Sequence, residues 1–202
     1  TERKEQALLV GINNMEDEDD FDRSMEELER LAQACNMETV GILTQKLETV
    51  NNALYLGSGK VQELKEFAEN IDADIIVFDN SLTPTQLRNL QQILKKPILD
   101  RTSLILDIFS ERARTREAKL QVETAKLQYL LPRLVGMHEA LSRQGGGSGL
   151  ANKGAGEKKL ELDRRKIEHR LAELRRELEE VAEERETQRK KRLASSLPLV
   201  AL

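Results

Sequence analysis

The chain has 202 residues, of which 34% are charged, 39% apolar and 3% aromatic, with no tryptophan. That length suits one ordinary domain and a smaller companion, with enough apolar content to bury a core. No run nears the roughly 18 apolar residues of a membrane span. The opening "TERKEQALLVGINN" lacks the apolar length and cleavage pattern of a secretory signal. Cys35 is the single cysteine, so no internal disulfide forms and a cytoplasmic setting is expected. The net charge of −4 hides a split. Residues 1–100 carry 20 acidic and 10 basic side chains, and residues 101–202 carry 16 and 22. A basic second half points to a polyanionic partner such as nucleic acid, although long solvated helices are charge-rich without one.

In chain order, "ALLVGIN" at 7–13 is an apolar run of the kind a buried strand shows. The acidic "MEDEDDFD" that follows is expected as a solvated loop. Met25, Leu28, Leu31, Ala32 and Cys35 at 3-and-4 spacing predict a helix over about 23–35, with Cys35 on its inner face as a buried small hydrophobe. "TVGILT" at 39–44 is a second strand, and an irregular segment leads to a helix over about 60–70. "DADIIVFDN" at 72–80 is the clearest strand. Thr83 as N-cap and Pro84 at the first helical position open a further helix, and "PILD" at 97–100 closes the series. Strands apolar throughout, joined by helices, indicate a parallel sheet covered on both faces. The expected class is α/β over residues 1–105, a small parallel sheet with flanking helices.

After Asp100 a short helix and then a long one are expected. Leu120, Thr124, Leu127, Leu131 and Leu134 alternate by four and three, and so do Ile167, Leu171, Leu174, Leu178 and Val181 in a highly charged helix over 157–193. Two matched stripes with one connection predict a long antiparallel two-helix hairpin over 106–195 in a monomer. Its tip is a Gly-rich stretch at 142–157.

Two segments imitate nucleotide loops. "YLGSGKV" holds Gly57, Ser58, Gly59 and Lys60, but a Walker A pattern needs Gly at 54 and Ser or Thr at 61, where Leu54 and Val61 stand. These four residues remain candidates for phosphate at a helix N-terminus. The stretch "SRQGGGSGLANKGAG" fits neither a P-loop nor a G-x-G-x-x-G register, and a helix rather than a strand precedes it. A plain hairpin turn needs about two to five residues. Arg143, Lys153, Lys158 and Lys159 supply charge there, and the glycines permit close backbone approach to a ligand. A cationic tip on a stiff arm suits folded RNA, against the alternative of a passive loop. The basic residues of the following helix, Arg164, Arg165, Lys166, Arg170, Arg175 and Arg176, are largely explained by acids three or four residues away. No nucleophile–base set emerges, so no catalytic residue is assigned. His138 and His169 lie too far apart to suggest a metal site.

Several stretches together resemble the HflX family of translation-factor-class GTPases. They are "YLGSGKVQEL", "LTPTQLRNLQ", "ILDRTSLILDIFSERARTREAKLQVETAKLQYLLPRL", "LSRQGGGSG", "GAGEKKLELDRRKI" and "PLVAL". The resemblance covers about residues 7–202 in unbroken order. It implies an N-terminal α/β subdomain, a two-helix subdomain and an adjoining GTPase domain, whose first strand would be residues 196–202. GTP and Mg2+ are then expected on that further domain rather than on this region. ATP binding to the N-terminal region is a further implication, with no motif to locate it. The implied partners are the large ribosomal subunit and its rRNA near the peptidyl transferase centre, in ribosome splitting or rescue under stress. The implied contact is the tip: Ser142, Arg143, Gln144, Gly145, Gly146, Gly147, Ser148, Gly149, Asn152, Lys153, Gly154, Gly156, Lys158 and Lys159. The residues leave open a second reading, a nucleotide-binding regulatory domain controlling the adjoining GTPase.

Overall fold

Strand β1 (Glu5–Asn13) is the inner strand on which the sheet is organised. The computed structural model describes residues 3–13, 18–143 and 150–194, with side chains placed except at 135–143 and 150–160. β2 (Met37–Lys46), β3 (Ile75–Phe78) and β4 (Ile98–Asp100) complete four parallel strands in the order β2-β1-β3-β4. A register shift between Ala7 and Leu8 interrupts the β1–β2 ladder. Side chains alternate across a strand, so β1 feeds two cores. Leu8, Val10 and Ile12 join Ile76, Phe78 and Ile98 beneath helices α2 (Ser58–Asn70) and α3 (Pro84–Leu94). Ala7 and Leu9 join Ile75 and Val77 beneath α1 (Glu18–Ala34) and α4 (Arg101–Arg112). Both faces are covered, as the unbroken apolar strands require.

Helix starts follow local chemistry. Thr83 accepts from the Gln86 amide at 3.2 Å while the Gln86 side chain accepts from the Thr83 amide at 2.9 Å, a capping box with Pro84 in the first turn, as expected. The acidic segment is different from expectation. Glu18, Asp19 and Asp20 form the first turn of α1, where carboxylates complement the positive end of the helix dipole. Phe21 lies one turn before Met25, and both are 6% exposed in the core. Residues 15–17 of that segment lie outside the described residues. Cys35 is half-buried rather than buried, its thiol donating to the Leu104 carbonyl at 3.6 Å.

At Gly11 side chains of α1 lie close against the sheet. A Cβ there would lie 2.5 Å from Met25 Sδ and 3.1 Å from the Phe21 ring. Gly11→Ala should therefore lower stability by about 1–3 kcal/mol, the usual range for overpacking. Urea denaturation measures this, and an unchanged midpoint would show that α1 shifts freely.

Beyond α4, α5 (Arg116–Arg143) and α6 (Leu150–Ala194) form the expected hairpin. At 28 and 45 residues they are about 42 and 68 Å long, from 1.5 Å of rise per residue. Leu120, Leu171 and Leu174 are buried in the seam, while Thr124, Leu127, Leu131, Leu134, Ile167, Leu178 and Val181 are half-buried along it. Helix α6 begins at Leu150, not near 157, so Gly154 and Gly156 are helical. Each glycine costs about 1 kcal/mol there relative to alanine, and the intervening Ala151, Lys153, Ala155 and Glu157 are good helix formers. Position 105 falls inside α4, whose Leu104 and Ile108 belong to the α/β core. No described helix is long and apolar enough to cross a membrane. The segment 196–202, expected as the first strand of a further domain, lies outside the described residues.

Candidate nucleic-acid interface and its anchor

The hairpin is held in one antiparallel register by ion pairs between its helices. Arg170 grips Glu123 with two hydrogen bonds of 2.7 and 2.9 Å, a bidentate pair of the kind that fixes geometry as well as charge. Arg185 binds Glu117, and Arg116 lies 3.9 Å from Glu177. Moving down α5 from Glu123 to Glu117, the partner climbs α6 from Arg170 to Arg185, so the two helices diverge in number toward the base and converge toward positions 143 and 150. Much of the remaining charge on α6 is paired within the helix: Arg165 with Glu161, Arg164 with Glu161 and Glu168, Lys166 with Asp163. Arg175 and Arg176 are exposed and carry no ion pair among the described residues.

The Arg170 hydrogen bond, opposed by partial burial, holds the Glu123 carboxyl below its ordinary 4.5. A depressed carboxylate stabilises the fold fully above its unfolded value, and that contribution disappears as pH falls through the lower folded one. The hairpin should therefore melt earlier at about pH 3 than at about pH 7, and Glu123→Gln should shrink that difference. Thermal circular dichroism at both pH values reads it; an undiminished difference in the variant would remove Glu123 as a cause.

Midway along α5 the arm is tied to the sheet through Asp100, the last residue of β4 and the N-cap of α4, which is 4% exposed. Its Oδ1 accepts from the Ser103 amide at 2.9 Å and hydroxyl at 2.8 Å. Its Oδ2 accepts from the Leu82 amide at 3.1 Å, from Arg133 Nη2 at 3.2 Å and from the Tyr129 hydroxyl. Arg133 also donates to the carbonyls of Tyr129 (2.8 Å) and Leu82 (3.0 Å), and its guanidinium carbon lies 3.3 Å from the centroid of the Tyr129 ring. Burial and the bond to Asp100 push the Tyr129 phenol well above its ordinary value, so it stays a donor. The next residue faces the other way. Arg101 donates to Asp79 Oδ1 at 2.6 Å, to the Ser24 carbonyl and hydroxyl at 2.8 Å each, and to Glu27 at 2.9 Å, joining the β3 end to α1.

Of the residues expected at the tip, Ser142 and Arg143 end α5, and Asn152, Lys153, Gly154, Gly156, Lys158 and Lys159 lie on the first turns of α6. Their side chains, and Gln144 to Gly149 entirely, lie outside the described residues. The second candidate group is elsewhere, at the start of α2. Tyr55 and Leu56 are buried in the core, Tyr55 stacking edge-on against Phe78 at 5.5 Å. The Gly57 amide donates to Gln45 Oε1 at 3.0 Å, and Lys60 pairs with Glu63 at 2.8 Å. Gly57 thus caps the helix and turns the chain between a buried anchor and α2. In the "GSGK" stretch the lysine and the leading amide thus have partners within the protein, Glu63 and Gln45. Among the described residues no cluster of His, Cys, Asp and Glu could hold a metal ion.

Tyr129 and Arg133 were not singled out from the sequence. The available signal was an aromatic hydroxyl and a cation one turn apart on a helix, pointing to one face.

The sequence models that match are those of the GTP-binding GTPase N-terminal region, over residues 22–110, and of the GTP-binding GTPase middle region, over residues 112–192. The chain is 48% identical over 200 residues to the GTPase HflX of Caldanaerobacter subterraneus subsp. tengcongensis, covering 98% of this chain and 45% of that one. It is 40% identical over 198 residues to the GTPase HflX of Escherichia coli K12, covering 98% and 46%. Among solved structures, SsGBP in complex with GDP superposes with a TM-score of 0.62 at 24% identity, over 91% of this chain and 46% of that one, a likeness of fold. The chain spans about half the length of the curated relatives it matches. With an α/β sheet and a two-helix arm that meet the two matched regions in order, this chain belongs to the HflX family of GTPases, whose N-terminal and middle regions it spans.

Proposed function

We propose that this chain is the ribosome-binding part of a HflX-type GTPase that acts in the cytoplasm on the large ribosomal subunit, in ribosome splitting or rescue. The arm carries RNA contact at its far end, through Arg143, Lys153, Lys158, Lys159 and the glycine-rich turn, with rRNA near the peptidyl transferase centre as target. The observation that carries this reading is the arm itself. Two helices paired through Arg170–Glu123 and Arg185–Glu117 run to Arg143 and Leu150, the positions that flank the most glycine-rich, acid-free stretch of the chain. The excess of basic residues after position 100 is in keeping with a polyanionic partner. GTP and Mg2+ are assigned to the adjoining GTPase domain of the whole protein, as the family resemblance implies.

Co-sedimentation with purified large and small ribosomal subunits tests the reading. Binding to the large subunit is expected, with log K falling linearly against log salt at about 0.7–0.9 per phosphate contacted. Equal binding to both subunits, or none, would overturn it. The regulatory nucleotide-binding alternative predicts heat on titration with ATP or GTP that Lys60→Ala abolishes. The engagement of Lys60 by Glu63 and of the Gly57 amide by Gln45 speaks against that alternative.

A further inference from the structure

We infer that Asp100, Tyr129 and Arg133 form a latch that sets the angle of the hairpin arm against the α/β domain, which makes Tyr129 and Arg133 positioning residues for the tip. The first ground is where packing is incomplete. Between α3, β4, α4 and α5 lies an open cavity of about 310 Å³, lined by Leu87, Ile98, Leu106 and Leu130 on its apolar side and by Asp100 and Tyr129 on its polar side. Leu130, the apolar residue α5 offers there, is 43% exposed. Close-packed interfaces resist displacement because every shift opens a void; an interface that already contains one gives that resistance up. Apolar contact is also non-directional, so the leucines hold α5 near the sheet without defining its tilt.

Direction comes instead from the polar groups. Asp100 draws its partners from its own β4–α4 corner, from the segment before α3 and from α5. Only two of them, the Tyr129 hydroxyl and the Arg133 guanidinium, belong to the arm. Hydrogen bonds weaken steeply with misalignment. Tilting α5 away would leave a carboxylate 4% exposed without its cation. Arg133 is restrained further by the Leu82 carbonyl and by the face of Tyr129, which supports cation–π contact. Lys126, one turn earlier on α5, pairs with Asp107 of α4 at 2.8 Å at the rim of the same cavity. That pair is half-exposed and joins α5 to α4 through one flexible lysine, so it adds less restraint than the buried groups.

The leverage is large. From Tyr129 to the end of α5 at Arg143 the arm extends about 21 Å, so a tilt of about 10° moves that end by about 4 Å. Anchor and tip are thus mechanically coupled through one buried carboxylate. A corollary that rests on the ribosome reading is that losing the latch weakens large-subunit binding without changing its salt dependence, since no phosphate contact is lost.

The test is made on the free protein, so its outcome does not depend on ribosome binding. In a Cys35→Ser background, spin labels are placed at Glu69→Cys on α2 and Leu162→Cys on α6, both exposed. Pulsed dipolar spectroscopy then gives the distribution of the distance between them. The parent is expected to show one narrow distribution, and the Tyr129→Phe, Arg133→Met double variant one at least about twofold wider, as several tilts become populated. Far-ultraviolet circular dichroism should be unchanged, because sheet and hairpin each keep their own contacts. If the double variant loses its helical signal, Tyr129→Phe alone decides, since it removes a single oxygen. An unchanged width in a folded variant would overturn the latch.

Discussion

Asp100→Ala should cost the fold about 3–5 kcal/mol, the range seen when one member of a buried ion pair is removed. The expectation follows from what is left behind. Arg133, whose side chain is 12% exposed, loses its carboxylate and keeps only the carbonyls of Tyr129 and Leu82. The Leu82 amide and the Tyr129 hydroxyl lose their acceptor together, and α4 loses its N-cap, which alone is worth about 1 kcal/mol. These losses share one site and are not additive. Urea denaturation of both proteins gives the difference, and a cost under about 1 kcal/mol would mean that water replaces the carboxylate, contrary to a buried node. Asp100→Asn is the informative companion. An amide keeps one carbonyl oxygen for the Ser103 amide and hydroxyl, so the cap survives. The NH₂ group cannot accept from Tyr129, Arg133 or Leu82, so the tie to the arm goes. The difference between the two variants separates the helix start from the latch.

Asp100 serves both, and only half of that is legible in the sequence. Its role as strand-end and cap residue is a local pattern, Asp before an apolar helix with Ser103 three residues on, and local patterns are legible. The pairing with Tyr129 and Arg133 spans 29 and 33 residues and depends on where α5 comes to rest, which no spacing states. The same division runs through the chain. The four strands, the Thr83–Pro84 helix start and the matched stripes of the hairpin are periodic or short-range features and were legible. Glu18 to Asp20 were misjudged because composition alone makes an acidic run look like a solvated loop. Phe21 paired with Met25 one turn later was the outweighing signal, since two large apolar groups on one face repay helix formation. The helical start at Leu150 was missed for the converse reason: two glycines at 154 and 156 were taken to end a helix that their neighbours continue. In the "GSGK" turn Gln45 on the Gly57 amide and Glu63 on Lys60 are partners that the motif does not announce, and the first of them comes from β2.

The sharpest prediction concerns where on the arm RNA is met. Arg143→Ala with Lys153→Ala should weaken large-subunit binding at least about tenfold and lower the slope of log K against log salt by about 1.4–1.8, since each lost phosphate contact returns one set of counterions. Replacing 145–154 by a tight turn should weaken it further, because the arm would then end short of its target while its helices stay paired through Glu123–Arg170 and Glu117–Arg185. The control lies in the same helix. Arg175 and Arg176 are exposed and free of ion pairs among the described residues, and replacing them removes the same two positive charges as the tip pair. If attraction were merely that of a basic rod for RNA, Arg175→Ala with Arg176→Ala would cost as much as the tip pair and change the slope equally. If the end of the arm is the contact, the mid-arm pair lies about 33 Å back along α6 from Lys153 at 1.5 Å per residue, several Debye lengths at physiological salt, and its removal should change affinity by less than about twofold. Filter binding or sedimentation across a salt series compares the two pairs directly. Equal losses would place the interaction along the helices and remove the tip from the account.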